Sequence, residues 1–237
     1  KPNGDGVQDL SMQNFIVMRD KTADSKFLMQ KKVCIIGVNY SYKILFQSLK
    51  ILKNSGVECK ESPFQSRKLI FETNYKNLNI IIVRASDVPI YIESGKVDFG
   101  IVGKDTLLET DLSNHLRIKD LNIASCKMVI AGKKGTKLMS NMKVATKYPS
   151  ITKKYFQSKG IPCSVLKLYG SIELASVLGM SDVIVDLVES GQTLKQNGLV
   201  EIETIEKISS VLIVNKTSYK VNREQINKFF NKINLDQ

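Results

Sequence analysis

From residue 32 onward, short β-rich runs alternate with helical stripes, and this rhythm restricts the chain to an α/β fold. Residues 32–36, Lys-Val-Cys-Ile-Ile, read as a strand. Leu45, Leu49 and Leu52, with Ile44 and Ile51, then form a helical stripe that Gly56 ends. Residues 68–71 and 79–84 are β-rich and joined by the polar stretch 72–78, as in a hairpin. Ser86 or Asp87 is placed to cap a helix with Pro89 in its first turn, and 98–102 read as the next strand. The alternation continues through a strand at 143–145, a helix at 150–159 closed by Gly160, and a strand at 163–168. A helix at 171–178 closed by Gly179 and a strand at 182–186 follow. Units of about 30 residues suit parallel-rich sheets with crossover helices. Residues 132–141 lack an apolar period and read as a loop that joins two lobes or caps one, and 201–215 are strand-like. A final amphipathic helix is expected at 222–233, with Ile226, Phe229, Phe230 and Ile233 on one stripe. No internal repeat is visible.

A chain of 237 residues, 43% hydrophobic and 24% charged, buries a real core as one large domain or two small lobes. Its longest apolar runs, at 80–83 and 211–214, fall far short of the roughly 18 to 20 residues of a spanning helix, so no membrane segment is expected. Residues 1–31 show no secretory pattern, and a cytoplasmic location is the expectation. Cys34, Cys59, Cys126 and Cys163 lack CxxC spacing and read as buried free thiols. The net charge of +12 is spread as lysine pairs, without an Arg-rich tract or aromatic interleaving. That distribution argues against nucleic-acid binding and suits a small anionic substrate. His115 is the only histidine, which excludes a His-centred triad and a multi-histidine metal site.

Three strand-to-helix turns carry the chemistry. In Asp186-Leu187-Val188-Glu189-Ser190-Gly191-Gln192-Thr193-Leu194 two carboxylates, two hydroxyls and a glycine meet where a buried strand becomes a helix. Backbone N–H groups at such a turn, with the Ser190 and Thr193 hydroxyls, suit a phosphate monoester, and Asp186 or Glu189 suits ribose hydroxyls or Mg²⁺. The same pattern also fits a plain helix capped by Ser190. In the stretch 98–105, Gly103 permits close approach of a ligand, or simply serves the turn, with Asp105 near a helix start. In Gly170-Ser171-Ile172-Glu173 the carboxylate either faces a ligand or compensates a helix dipole.

Taken together, several blocks between about residues 43 and 233 resemble the ATP phosphoribosyltransferases of the short type. They are 66–69, Asp87-Val88-Pro89 with Glu93 and Gly95, 98–105, Val144-Ala145-Thr146-Lys147-Tyr148-Pro149, 170–173, and 186–194 followed by Asn197-Gly198-Leu199. The resemblance implies two α/β lobes of the periplasmic-binding-protein type with a cleft between them. Lobe I would comprise 32–122 and 205–237, and lobe II 123–204 with the phosphoribosyl pyrophosphate loop. It implies attack of N1 of ATP on C1 of phosphoribosyl pyrophosphate with loss of magnesium pyrophosphate, the first step of histidine biosynthesis. Substrate binding would fall to Glu189, Ser190, Gly191, Gln192 and Thr193 at the phosphate, with Asp98, Gly100 and Gly103 near nucleotide and ribose. Lys43, Glu173 and Asp186 would be the catalytic set, with Mg²⁺ as cofactor held through substrate phosphates and Asp186 as its candidate protein ligand.

Such a reaction asks for positioning and charge stabilisation more than for acid or base groups, which suits a chain with one histidine. The short type further implies a separate regulatory subunit similar to histidyl-tRNA synthetase, in a hetero-oligomer, with histidine feedback largely on that partner. One departure stands out: the family's Lys-Gly-Arg turn after the first strand reads Ser41-Tyr42-Lys43 here, without the glycine and one cation. Residues 1–31 read as an extension outside the α/β rhythm; 14–20 resemble a stretch of kynurenine 3-monooxygenases too short to carry a function. The alternatives are a catalytically impaired homologue that binds nucleotide or phosphoribosyl pyrophosphate, and, further off, a solute-binding protein of similar fold.

Overall fold

The computed structural model describes residues 33–37, 42–75, 78–221, 223 and 227. The extension 1–31, Ser41 of the altered turn, and the stripe of Ile226, Phe229, Phe230 and Ile233 lie outside the described residues, as does the side chain of Lys43. Contacts divide the chain into two compact units, Lys1–Val102 with Leu112–Ile123 and Val211–Gln237, and Gly103–Asp111 with Ala124–Ser210.

In the first unit, strand β1 (Val33–Gly37) leads to helix α1 (Tyr42–Asn54), and Leu45, Ser48, Ile51 and Leu52 are buried on one of its faces. Val57 N–H donates to the Leu52 carbonyl, and Gly56 adopts φ +86, so the helix ends where a left-handed residue is needed. Strands β2 (Ile70–Glu72) and β3 (Asn79–Val83) form the expected antiparallel hairpin, with Ile70 opposite Ile81. Helix α2 (Val88–Glu93) has Pro89 in its first turn, but neither Ser86 nor Asp87 caps it. A 3₁₀ turn over Ala85–Asp87 gives Asp87 helical angles, and its side chain instead accepts from Ser86 Oγ at 2.9 Å. Strand β4 (Val97–Gly103) is buried over most of its length and runs into helix α3 (Lys104–Glu109), which belongs to the second unit; β5 (His115–Asp120) follows.

The second unit continues with β6 (Cys126–Lys133), β7 (Met142–Thr146), α4 (Pro149–Ser158), β8 (Cys163–Lys167) and α5 (Glu173–Val177). Then come β9 (Val183–Val188), α6 (Gln192–Gln196) and β10 (Leu199–Ile208), before β11 (Ser210–Asn215) and α7 (Lys216–Val221) return the chain to the first unit. The strand-like stretch 201–215 is therefore two strands in two sheets, separated by Ser209. The loop expected at 132–141 connects β6 to β7 within the second unit.

Both sheets are mixed. The first runs β2-β3-β1-β4-β11-β5, with β1 parallel to β3 and β4 and β5 antiparallel to β11. The second runs β10-β6-β9-β7-β8, with β7 parallel to β8 and β9 and β6 antiparallel to β9 and β10. Leu52, Ile80, Phe99, Ile101 and Leu212 anchor the first core. The second unit has a core on each face of its sheet: Met128, Ile130, Val144, Tyr148, Phe156 and Val185 on one, and Ala145, Ile172, Ala175, Ile184 and Leu194 on the other. Cys59, Cys126 and Cys163 are free thiols, half-buried where full burial was expected. No helix among the described residues is long and apolar enough to cross a membrane.

Candidate active site

Strand β9 carries three fully buried residues, Val183, Ile184 and Val185, into a turn whose shape depends on one glycine. Gly191 sits at φ +75, which an L side chain adopts only under strain, and there is room above it: an added Cβ would meet only Val188 Cγ1, at 3.9 Å. The Gln192 N–H donates to Ser190 Oγ at 3.4 Å, and buried Leu194 fastens α6 to the core behind the turn. Around this turn lies a cavity of about 300 Å³ lined by Glu173, Asp186 and the stretch 187–194. Seven of the residues expected from the sequence thus border one space: Glu173, Asp186, Glu189, Ser190, Gly191, Gln192 and Thr193.

Asp186 is the most perturbed carboxyl of the cavity. Burial, reinforced by the nearby Glu173 carboxylate, pushes its pKa up to about 6, against the opposing pull of the Leu187 N–H and the Lys147 ammonium. That N–H donates to Asp186 Oδ1 at 2.8 Å. Glu173 opens α5 two residues after Ser171, whose φ of 48 bends the chain sharply into the helix. Among the described residues no group of three or more His, Cys, Asp or Glu is placed to hold a metal. Mg²⁺ takes oxygen ligands and needs only one or two protein carboxylates, and Glu173 and Asp186, neighbours in the cavity lining, are carboxylates that could meet such an ion.

A second polar group braces this wall. Tyr148 follows β7, is buried, and donates its hydroxyl to Asp105 Oδ2 at 3.1 Å. Burial, together with the Asp105 carboxylate, drives the Tyr148 phenol far above its ordinary pKa, and burial likewise raises Asp105. Gly103 is needed beneath this pair, because a Cβ there would lie 2.1 Å from Asp105 Oδ1. The Glu109 carboxylate accepts the Ser150 and Ile151 N–H groups, and so satisfies the first turn of α4. Asp105 and Tyr148 carry no motif of their own, and 43 residues of sequence separate the bonded pair.

The remaining expected residues lie elsewhere. Asp98 is 4% exposed in β4 of the first unit and accepts a hydrogen bond from Ser218 Oγ. Gly100 faces α2, where an added Cβ would come within 2.7 Å of Val88 Cγ1, so close helix–strand packing explains this glycine. Lys43 begins α1. His115 opens β5 beside Glu93, 4.0 Å away, where burial and then Lys216 depress its pKa against the pull of Glu93. Asp98, Gly100, Lys43 and His115 all belong to the first unit, and the cavity to the second.

A profile of the ATP phosphoribosyltransferase family matches residues 84–235. The chain is 46% identical over 192 residues to the ATP phosphoribosyltransferase of Ruthia magnifica, covering 81% of this chain and 94% of the relative. The enzyme of Citrifermentans bemidjiense is also 46% identical over 192 residues, with 78% and 90% covered. Among solved structures, a chain of the ATP phosphoribosyl transferase (HisG:HisZ) complex from Thermotoga maritima superposes with a TM-score of 0.74 at 33% identity, covering 85% of this chain and 96% of that one. A periplasmic sulfonate-binding protein from Methylobacillus flagellatus, 16% identical with a TM-score of 0.56, covers 86% of this chain and 67% of its own, a likeness of fold alone. With a family profile over residues 84–235 and relatives 46% identical over most of their length, the chain belongs to the ATP phosphoribosyltransferase family.

Proposed function

We propose that the chain is the catalytic subunit of a short-type ATP phosphoribosyltransferase, a pentosyltransferase that transfers the phosphoribosyl group of phosphoribosyl pyrophosphate to N1 of ATP and releases pyrophosphate. This is the first step of histidine biosynthesis. The observation that carries the reading is the cavity at the β9–α6 turn, where a left-handed glycine, two hydroxyls and three carboxylates surround a space of about 300 Å³. Backbone N–H groups of the turn, with the Ser190 and Thr193 hydroxyls, suit the 5-phosphate, since a turn entering a helix presents donors to an anion. Asp186 and Glu173 lie where they can accept from ribose hydroxyls, which fixes the sugar with C1 exposed to the nucleotide.

N1 of adenine attacks through its own lone pair, so no side chain has to generate the nucleophile. The work of the protein is to hold two anionic substrates in line and to stabilise charge on the departing pyrophosphate. Glu173 or Asp186 would hold a Mg²⁺ ion beside the substrate phosphates, and the ion would supply part of that neutralisation. A regulatory subunit similar to histidyl-tRNA synthetase is the partner we infer, in a hetero-oligomer located in the cytoplasm; the likeness to a chain of the HisG:HisZ complex supports it.

The test is formation of phosphoribosyl-ATP from ATP, phosphoribosyl pyrophosphate and Mg²⁺, with and without such a subunit. Product should appear with the native chain and vanish with Asp186→Ala. A native chain that binds phosphoribosyl pyrophosphate and forms no product would instead identify a homologue that has kept the site and lost the chemistry.

A further inference from the structure

The cavity poses an electrostatic problem. Glu173, Asp186 and Glu189 line it, and among the described residues no lysine or arginine does, yet its proposed occupant carries a phosphate at one end and a pyrophosphate at the other. Sheet register shows which cation stands closest to solving it. Parallel β7 and β9 pair Val144 with Val183, Ala145 with Ile184 and Thr146 with Val185; Lys147 is the first residue past the end of β7, and Asp186 follows Val185 in β9. Ala145 and Ile184 pack in the same core as α5 and α6, and the period-two alternation within β9 turns Asp186 toward that face, while Lys147 lies just past the end of β7. Tyr148, one residue on, goes to the opposite core. Both side chains therefore stand at the carboxyl ends of adjacent parallel strands, the place where open α/β sheets receive ligands.

Lys147 is also unspent. It is exposed, and its Nζ lies 5.9 Å from the Tyr148 ring centroid, with no ion pair at contact distance among the described residues. Its field reaches both Asp105 and Asp186. We infer that Lys147 is a further substrate-binding residue, whose ammonium holds the pyrophosphate end of phosphoribosyl pyrophosphate and steadies it as it leaves. This rests on the function proposed above. The 5-phosphate takes the β9–α6 turn and the ribose meets Asp186, so a cation just past the end of β7, the next strand, meets the group on the far side of the sugar.

The experiment compares native chain, Lys147→Ala and Lys147→Arg in Mg²⁺ buffer. Binding of inorganic pyrophosphate and of ribose 5-phosphate is read by calorimetry, beside the steady-state constants. Lys147→Ala should weaken pyrophosphate and raise KM for phosphoribosyl pyrophosphate by about tenfold or more, the usual loss for a charge-assisted contact. Affinity for ribose 5-phosphate, KM for ATP and the melting temperature should stay at native values, and Lys147→Arg should recover most of the loss. Native pyrophosphate binding in Lys147→Ala, or an equal loss of both ligands with a lowered melting temperature, overturns the inference while an active native chain upholds the function. A native chain that binds neither ligand and forms no product overturns both. An inactive native chain whose pyrophosphate binding still depends on Lys147 overturns the reaction and keeps the binding role.

Discussion

Replacing Asp186 by Asn should make the ligand-free protein more stable and the enzyme inactive, and the stability gain should depend on pH in a defined direction. Asp186 titrates near pH 6 in the folded chain against an ordinary value of 3.8, with burial as the main cause. Well below the ordinary value the carboxyl is neutral folded and unfolded, and it costs nothing. Between the two values only the unfolded chain ionises, and above about 6 the folded chain carries a desolvated charge. A raised carboxyl pKa therefore means stability present at low pH and lost as pH climbs. At about 1.4 kcal/mol per tenfold, the shift corresponds to roughly 2–3 kcal/mol, the lower figure allowing for partial exposure. Asn keeps the shape and can still accept from the Leu187 N–H, so the comparison isolates the charge. Urea unfolding of metal-free native and Asp186→Asn chains should give curves that nearly coincide at about pH 4 and separate by roughly 2–3 kcal/mol at about pH 8, the variant being the more stable. A separation that does not grow with pH, or native protein that gains on the variant at high pH, would refute the burial argument. The loss of activity would identify the same charge as the cost of function.

Two further substitutions probe the packing around the site. Gly100→Ala should destabilise the chain by about 1–3 kcal/mol through its clash with Val88, and Val88→Ala should relieve much of that cost in the double variant, as chemical denaturation would show. Tyr148→Phe leaves the buried Asp105 carboxylate without its phenol donor and should cost about 1–3 kcal/mol; Asp105→Asn should be non-additive with it, measured as a melting-temperature cycle.

Legibility of the fold in the sequence followed its physics. The β9–α6 turn was readable because its chemistry is local: Gly191, the flanking hydroxyls and the carboxylates fall within a few residues of one another. The hairpin of β2 and β3 and the helix ended by Gly56 were readable for the same reason. Strand β6 was not, because Met128, Val129, Ile130 and Ala131 are buried on both faces and show no alternation. Nor was the division of 201–215 between two sheets, since β10 and β11 are both strand and only the tertiary course separates them. Gly100, which the resemblance sets near nucleotide and ribose, has a packing reason that no local pattern reveals, since Val88 of α2 stands where its Cβ would be. Asp105, Lys147 and Tyr148 lay in blocks that carried the family resemblance, yet their grouping depends on α3 packing with the second unit and on the β7–β9 register.

The most direct test of the account is the ATP dependence of pyrophosphate release. The native chain, supplied with phosphoribosyl pyrophosphate and Mg²⁺ beside a regulatory subunit, should release pyrophosphate only when ATP is added, with one phosphoribosyl-ATP for each pyrophosphate. Release without ATP, or none with it while phosphoribosyl pyrophosphate remains bound, would contradict the assignment of the β9–α6 cavity to phosphoribosyl transfer.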